Sequence, residues 1–350
     1  MSNPTEGRPG AYVFGCAGPE LLADEAEFFA DAKPFGFILF ARNCVSPDQV
    51  AKLTRDLRAC IGRPDAAVLI DEEGGRVQRL RPPQWRDTPA AARFGELAAV
   101  DAEKAATACR LNARLIADDL TPIGINVDCL PCLDLFHAPG SPAIGSRSFS
   151  HDPELVALLG RAQVDGLRSG GVLPIMKHMP GHGRALVDSH YELPQLDIDL
   201  DSLRRSDFHP FRALADLPMG MTAHIVVKAI DPVWPATQSP DVIRALIRGE
   251  IGFSGILFSD DIGMHALSGG FAERTERALQ AGCDLVLHCS GTMDEMREVA
   301  RVGSRISERA WTQWLSARSG LAGARGEGEV FDRAAALASL AEFLDETAAG

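Results

Sequence analysis

The chain predicts an α/β fold, a (β/α)8 TIM barrel built as a single catalytic domain with extra C-terminal helices. Two patterns carry that expectation. Eight short apolar runs recur near 11–16, 36–41, 66–71, 125–130, 172–177, 219–225, 255–260 and 284–288, with amphipathic segments between them. Acidic and imidazole side chains follow the ends of several of those runs, which is where barrel enzymes carry their chemistry.

Most of the runs are continuous stretches of Val, Ile, Leu or Phe, the pattern of parallel strands buried on both faces. The first connecting helix with a clear start is 47–60, where Val50, Leu53, Leu57 and Cys60 recur at helical spacing behind Ser46 as N-cap. Further helical segments fall near 93–120, 153–169, 199–215, 240–249, 271–281 and 292–301. An open doubly wound sheet shares this alternation, but no G-x-G-x-x-G follows the first strand, so the closed barrel is preferred. The barrel is assigned to residues 1–305. Residues 306–350, with Trp311, Trp314 and an Ala/Leu-rich end behind a Gly-rich 320–328, are assigned to helices packed on the barrel or to a partly mobile tail.

Composition excludes several classes of function. Forty-eight acidic against 35 basic residues give a net charge of −13, which disfavours nucleic acid. No apolar run approaches the roughly 20 residues of a membrane span. The N-terminal segment lacks the basic and apolar regions of a secretory signal, which predicts a cytoplasmic protein. The eight cysteines are scattered through apolar or helical contexts and are read as reduced thiols. Cys129 and Cys132 form one isolated C-x-x-C, read as structural because no second pair completes a zinc site. No cofactor and no metal are expected, and a monomer is favoured.

Five strand ends carry the candidate chemistry. The third run leads into Asp71-Glu72-Glu73-Gly74-Gly75-Arg76, the fifth into Lys177-His178-Met179-Pro180-Gly181-His182-Gly183, the sixth into Thr222-Ala223-His224, the seventh into Ser259-Asp260-Asp261 and the eighth into His288. Each alone reads as a cap or a solvated loop residue; five on one rim read as a site. Asp260 directly ends an apolar run, so its carboxylate is expected to be rigidly held at the barrel mouth. Asp261 should point elsewhere and bind backbone amides. In 188–190, Asp188 stands two residues from His190, close enough to orient the imidazole and raise its basicity.

Together, IDEEGGRVQRL at 70–80, GSRSF at 145–149, KHMPGHG at 177–183, DSH at 188–190, MTAH at 221–224 and FSDD at 258–261 resemble glycoside hydrolase family 3. More narrowly, they resemble its bacterial β-N-acetylhexosaminidases, the β-N-acetylglucosaminidases of peptidoglycan recycling, over roughly residues 10–300. The resemblance implies Asp260 as the nucleophile of a retaining reaction and His190, partnered by Asp188, as general acid/base in place of the usual second carboxylic acid. It implies Asp71, Arg79, Arg147, Lys177 and His178 as the residues that bind the terminal N-acetylglucosamine. The implied substrate is N-acetylglucosamine β-1,4-linked to 1,6-anhydro-N-acetylmuramic acid, with or without peptide.

Alternatives stay open at this level. Arg79 or Arg147 could pair with Glu72 or Glu73 beneath the site instead of binding substrate. His137, His288 and Cys289 leave the leaving-group preference undecided. A phosphorylase would use the same intermediate with phosphate as acceptor. A metal-dependent hydrolase could draw on His178, His182, His190 and His224, but leaves the other motifs unexplained. A noncatalytic sugar-binding barrel would need neither Asp260 nor the Asp188–His190 pair.

Overall fold

Alternating side chains on each strand bury into two separate apolar clusters, one inside a ring of strands and one between the ring and its helices. The computed structural model describes residues 7–138, 141, 143–189, 191–324 and 331–345, with no side-chain description for 322–324. Eight strand positions follow one another: β1 (Gly10–Gly15), β2 (Pro34–Leu39), β3 (Ala67–Ile70), β4 (Val127–Asp128), β5 in two stretches (Leu173–Pro174 and Met176–Met179), β6 (Met219–Thr222), β7 (Ile256–Asp261) and β8 (Leu285–His288). Every neighbouring pair is parallel, and β1 pairs with both β2 and β8. The first stretch of β5 pairs with β4 and the second with β6, so β5 closes the ring on either side of Ile175. The fold is a (β/α)8 barrel.

Val13, Phe35, Leu69, Val127, Leu173, Met219, Ile256 and Leu285 fill the inner cluster. Their sequence neighbours Phe14, Val68 and Leu257 face the helices. Burial on both faces is why the strands read as unbroken apolar runs.

The helices depart from expectation in four places. The helix Ala23–Ala32 was not foreseen: Leu22 offers no side-chain cap, and Glu25 instead reaches back to accept from the Leu22 N–H at 3.1 Å. The segment expected as 93–120 is two helices, Ala91–Ala98 and Ala102–Leu120, because Asp101 caps the second through the Lys104 N–H at 3.0 Å. The segment expected at 199–215 likewise divides into Leu200–Arg205 and His209–Ala213. Val242–Glu250 is wound as a π-helix. All eight cysteines are free thiols. Among the described residues, no helix is long and apolar enough to cross a membrane.

After the helix Met293–Val302 the chain passes under the barrel, where Ala11 N–H donates to the Ser304 carbonyl at 2.7 Å and Ile306 N–H to that of Pro9 at 2.9 Å. The helix Glu308–Ala324 then places Trp314 against the N-terminal ends of the strands, fully buried and edge-on to Phe35 at 5.0 Å. The helix Arg333–Asp345 packs on Ala102–Leu120, with Arg333 paired to Asp118 at 2.8 Å and Asp119 at 2.6 Å.

The Trp314 indole N–H has no hydrogen-bond partner among the described residues, so the side chain acts through its volume. Trp314→Ala is expected to lower unfolding stability by about 3–5 kcal/mol, and Trp314→Phe by well under half of that. Urea unfolding of the two variants measures the difference, and equal losses would show that filling the barrel floor is not what Trp314 contributes.

Candidate active site

The C-terminal strand ends carry a cavity of about 160 Å³ lined by Asp71, Arg79, Arg147, Lys177, His178 and Asp260, among others. Six of the eight residues singled out from the sequence therefore meet at one place. Asp188 is half-buried on the loop after β5 and does not line this cavity. His190 lies outside the described residues.

The floor of the cavity is a network of charges. The Lys177 ammonium, buried at the end of β5, donates to Asp71 at 2.8 Å and to Glu73 at 2.6 Å. Asp71 also accepts from Arg79 at 2.9 Å, and Glu73 takes Arg147 by two bonds of 2.9 and 2.8 Å. The structural pairing considered for Arg147 is thus present, with Glu73, while its guanidinium still faces the cavity. Arg79 pairs with Asp71 instead of with Glu72. Burial would raise the Glu73 carboxyl, but Arg147 and Lys177 outweigh it and lower it to about 2. Asp71 is likewise held well below the carboxylate range, against burial, by Lys177 and Arg79. Burial would lower Lys177, yet the two carboxylates hold it well above its usual value.

Local backbone bonding fixes the loop after β3. Glu72 accepts from the Arg79 and Leu80 N–H groups at 2.9 and 3.0 Å, which folds Arg79 back over Asp71. Burial still pushes the Glu72 carboxyl up to about 7. The 145–149 segment lies so close to the helix Ala91–Ala98 that a side chain at Gly95 would overlap the Phe149 carbonyl. This close approach positions Arg147.

Asp260 is the penultimate residue of β7. Burial alone would raise its carboxyl, but the imidazoles of His178 and His224, the Asp261 N–H and Lys177 hold it below the ordinary aspartate range. It is therefore an anion at neutral pH. As expected, Asp261 points elsewhere: it accepts from the Gly263 N–H at 2.9 Å and the Cys289 N–H at 3.2 Å. His224 is fully buried, with Nε2 on the Asp261 carbonyl at 2.9 Å and Nδ1 on Thr237 at 2.7 Å, so it braces the strand end that carries Asp260.

One residue of the site escaped the sequence analysis. Asp134 is fully buried and binds His178 Nδ1 at 2.6 Å through Oδ2 and the His182 N–H at 2.6 Å through Oδ1. Burial would raise it, but His178 and His182 lower it to about 2. His182 in turn meets Ser189 Oγ at 3.2 Å, and the Ser189 carbonyl accepts from the Ala266 N–H at 3.2 Å. The segment that contains Asp188 is thereby tied to the barrel through Ser189. The signal for Asp134 was a carboxylate inside the apolar run Cys132-Leu133-Asp134-Leu135-Phe136.

The chain matches the family model of the glycosyl hydrolase family 3 N terminal domain over residues 18–313. It belongs to glycosyl hydrolase family 3. A beta-hexosaminidase of Stenotrophomonas maltophilia (strain K279a) is 40% identical over 281 residues, which are 79% of this chain and 82% of that protein. Among solved structures, NagZ from Neisseria gonorrhoeae in complex with N-trifluoroacetyl-D-glucosamine is 32% identical with a TM-score of 0.85, covering 96% of this chain and 98% of that one. A family 3 β-N-acetylglucosaminidase from Paenibacillus sp. str. FPU-7 is 31% identical with a TM-score of 0.82, covering 96% of this chain and 66% of that one.

Two outcomes follow for this family 3 site. Lys177→Met leaves Asp71 and Glu73 buried without their shared cation and is expected to cost about 3–5 kcal/mol of stability, read by urea unfolding; a loss below 1 kcal/mol would mean that Arg79 and Arg147 suffice. Burial lowers the His182 imidazole from 6.5 to about 4. The unfolded chain therefore takes up that proton first, and His182 contributes stability that is full above pH 6.5 and declines as pH falls toward 4. Glu73 and Asp134, both lowered to about 2, contribute stability present above their unfolded values and lost as pH falls toward 2. A His182→Gln protein should lose only the first part of the decline in melting temperature.

Proposed function

We propose that this family 3 glycoside hydrolase is a retaining exo-β-N-acetylglucosaminidase. Its substrates are muropeptides in which a terminal N-acetylglucosamine is β-linked to 1,6-anhydro-N-acetylmuramic acid, with or without peptide, and it acts in cell-wall recycling as a cytoplasmic monomer. We assign residues 1–305 to the catalytic unit and 306–350 to a C-terminal extension, whose helices Glu308–Ala324 and Arg333–Asp345 pack on it. The observation that carries the reading is Asp260, an anionic carboxylate on a strand end, in the same cavity as the paired charges of Asp71, Arg79, Arg147 and Lys177. The names of the beta-hexosaminidase and β-N-acetylglucosaminidase relatives, and the N-acetylglucosamine derivative bound by the Neisseria protein, support the substrate class.

In this reading Asp260 attacks the anomeric carbon through an oxocarbenium-like transition state and forms a glycosyl-enzyme ester. His190 protonates the departing oxygen and later takes a proton from water, with Asp188 orienting the ring and stabilising its charged form. Asp71 accepts from sugar hydroxyls, while Arg79, Arg147 and Lys177 donate in directions set by their carboxylate partners, and His178 completes the sugar pocket. No cofactor or metal takes part.

Release of 4-nitrophenol from 4-nitrophenyl N-acetyl-β-glucosaminide, in phosphate-free buffer with chelator, tests the assignment. The parent should turn over, and Asp260→Ala should lose on the order of ten-thousand-fold in kcat with its fold intact. Equal turnover by both proteins would remove Asp260 from the nucleophile's place. His190→Ala is expected to lose roughly 100-fold or more on muropeptide but far less on the nitrophenyl glycoside, whose leaving group needs little protonation. Equal losses would remove His190 from the acid role, and sugar 1-phosphate formed in phosphate buffer would make the enzyme a phosphorylase.

A further inference from the structure

Two hydrogen-bond donors converge on one carboxylate oxygen beside the sugar pocket. His178 Nδ1 lies 2.6 Å from Asp134 Oδ2, and the Cys132 thiol lies 3.4 Å from the same atom. The sulfur, the ring nitrogen and a carboxylate oxygen all fall within 4.8 Å of one another, and all three residues are buried. Bonds of about 2.3 Å to sulfur and 2.0 Å to nitrogen or oxygen put the ligand atoms of a tetrahedral cation roughly 3.3–3.6 Å apart. The sulfur–oxygen separation already fits. The nitrogen–oxygen separation must open by somewhat less than 1 Å, so occupation requires the imidazole to tilt.

We propose that Cys132, Asp134 and His178 form a site for a thiophilic divalent cation of the Zn²⁺ and Cd²⁺ class, and that its occupation shuts the sugar pocket. Thiolate, imidazole and carboxylate together select such ions over Mg²⁺ or Ca²⁺, which take oxygen ligands. The exchange balances: the thiol proton leaves to solvent, the Nδ1 proton of the neutral ring moves to Nε2, and the thiolate and the Asp134 carboxylate neutralise the dication. The fourth position is left to water.

Inhibition follows from the tautomer. With Asp134 accepting the Nδ1 proton, His178 Nε2 is an acceptor and faces an Arg147 nitrogen at 3.4 Å. A cation on Nδ1 turns Nε2 into a donor aimed at the donor Arg147, and reverses the polarity that His178 presents to the cavity. A hydroxyl that would donate to His178 loses its partner. The inhibitory half of the proposal rests on the sugar-binding role proposed for His178; the binding half does not.

Full-length protein stripped of metal is titrated with Cd²⁺, following the ultraviolet cadmium–thiolate charge-transfer band and, in parallel, turnover of 4-nitrophenyl N-acetyl-β-glucosaminide. Cys132→Ala and Cys132→Ser serve as controls, since both remove the thiolate without adding volume to the packed interior and should retain basal turnover. The parent should show a saturable band that both variants lack, with the Cd²⁺ needed for inhibition rising on the order of 10- to 100-fold in the variants and no inhibition by Mg²⁺. A band of full amplitude in both variants would place the ion on other cysteines and overturn the site. Loss of the band with unchanged inhibition would overturn the polarity mechanism. If the parent turns over no glycoside, the band still decides the site, and the failure belongs to the proposed activity.

Discussion

A lysine ammonium that is 2% exposed cannot stay charged without anions against it. Lys177 meets this requirement with Asp71 and Glu73, and the arrangement of the barrel mouth follows from that pairing. Each carboxylate has a remaining oxygen lone pair, which Arg79 and Arg147 occupy from two different loops. Three cations on two anions leave a surplus of positive charge beside Asp260, whose carboxyl is held low partly by Lys177 itself. The same contacts that make burial of Lys177 tolerable therefore also keep the nucleophile of the proposed reaction ionised.

Rigidity is distributed unevenly around this network. Asp260 ends a strand that is paired on both sides, and its neighbours Asp261 and His224 are bonded to backbone groups, so little about its position can change. Asp188 instead sits on a loop, one attachment of which runs through Ser189 to His182, and from the His182 backbone to Asp134. Asp134 also orients His178. The sugar-facing imidazole and the loop of the proposed acid/base thus share one buried carboxylate, so a change at Asp134 would disturb substrate binding and proton transfer together. Such a residue acts through others and touches no reacting atom itself.

The barrel was legible because burial on both faces makes each strand a continuous apolar run, and such a run names its own end. Asp71, Lys177 and Asp260 could be found for the same reason: each is the first charged group after a run, and strand ends share one rim. What escaped depends on partners distant in sequence. Nothing near Asp134 shows that it will meet His178, 44 positions on. The helix Ala23–Ala32 escaped because its cap comes from Glu25 inside the helix instead of from a residue before it. The break at Asp101 carried a local signal, an Asp before a helical stretch, which the longer apolar periodicity hid.

The two ends of the barrel divide the work of stability and chemistry. At the floor, Trp314 and Phe35 close an apolar interior that continues through Phe258. At the mouth, Arg79 Nε, Asp128 Oδ2 and His182 Nδ1 are buried polar atoms without a hydrogen-bond partner among the described residues. Each such atom costs on the order of 1–3 kcal/mol, a burden that a fold of marginal net stability can carry only where burial elsewhere offsets it. Packing the helix Glu308–Ala324 against the floor adds apolar burial at the end of the barrel farthest from the charges. A polar mouth of this density is therefore sustained by residues that never approach the substrate.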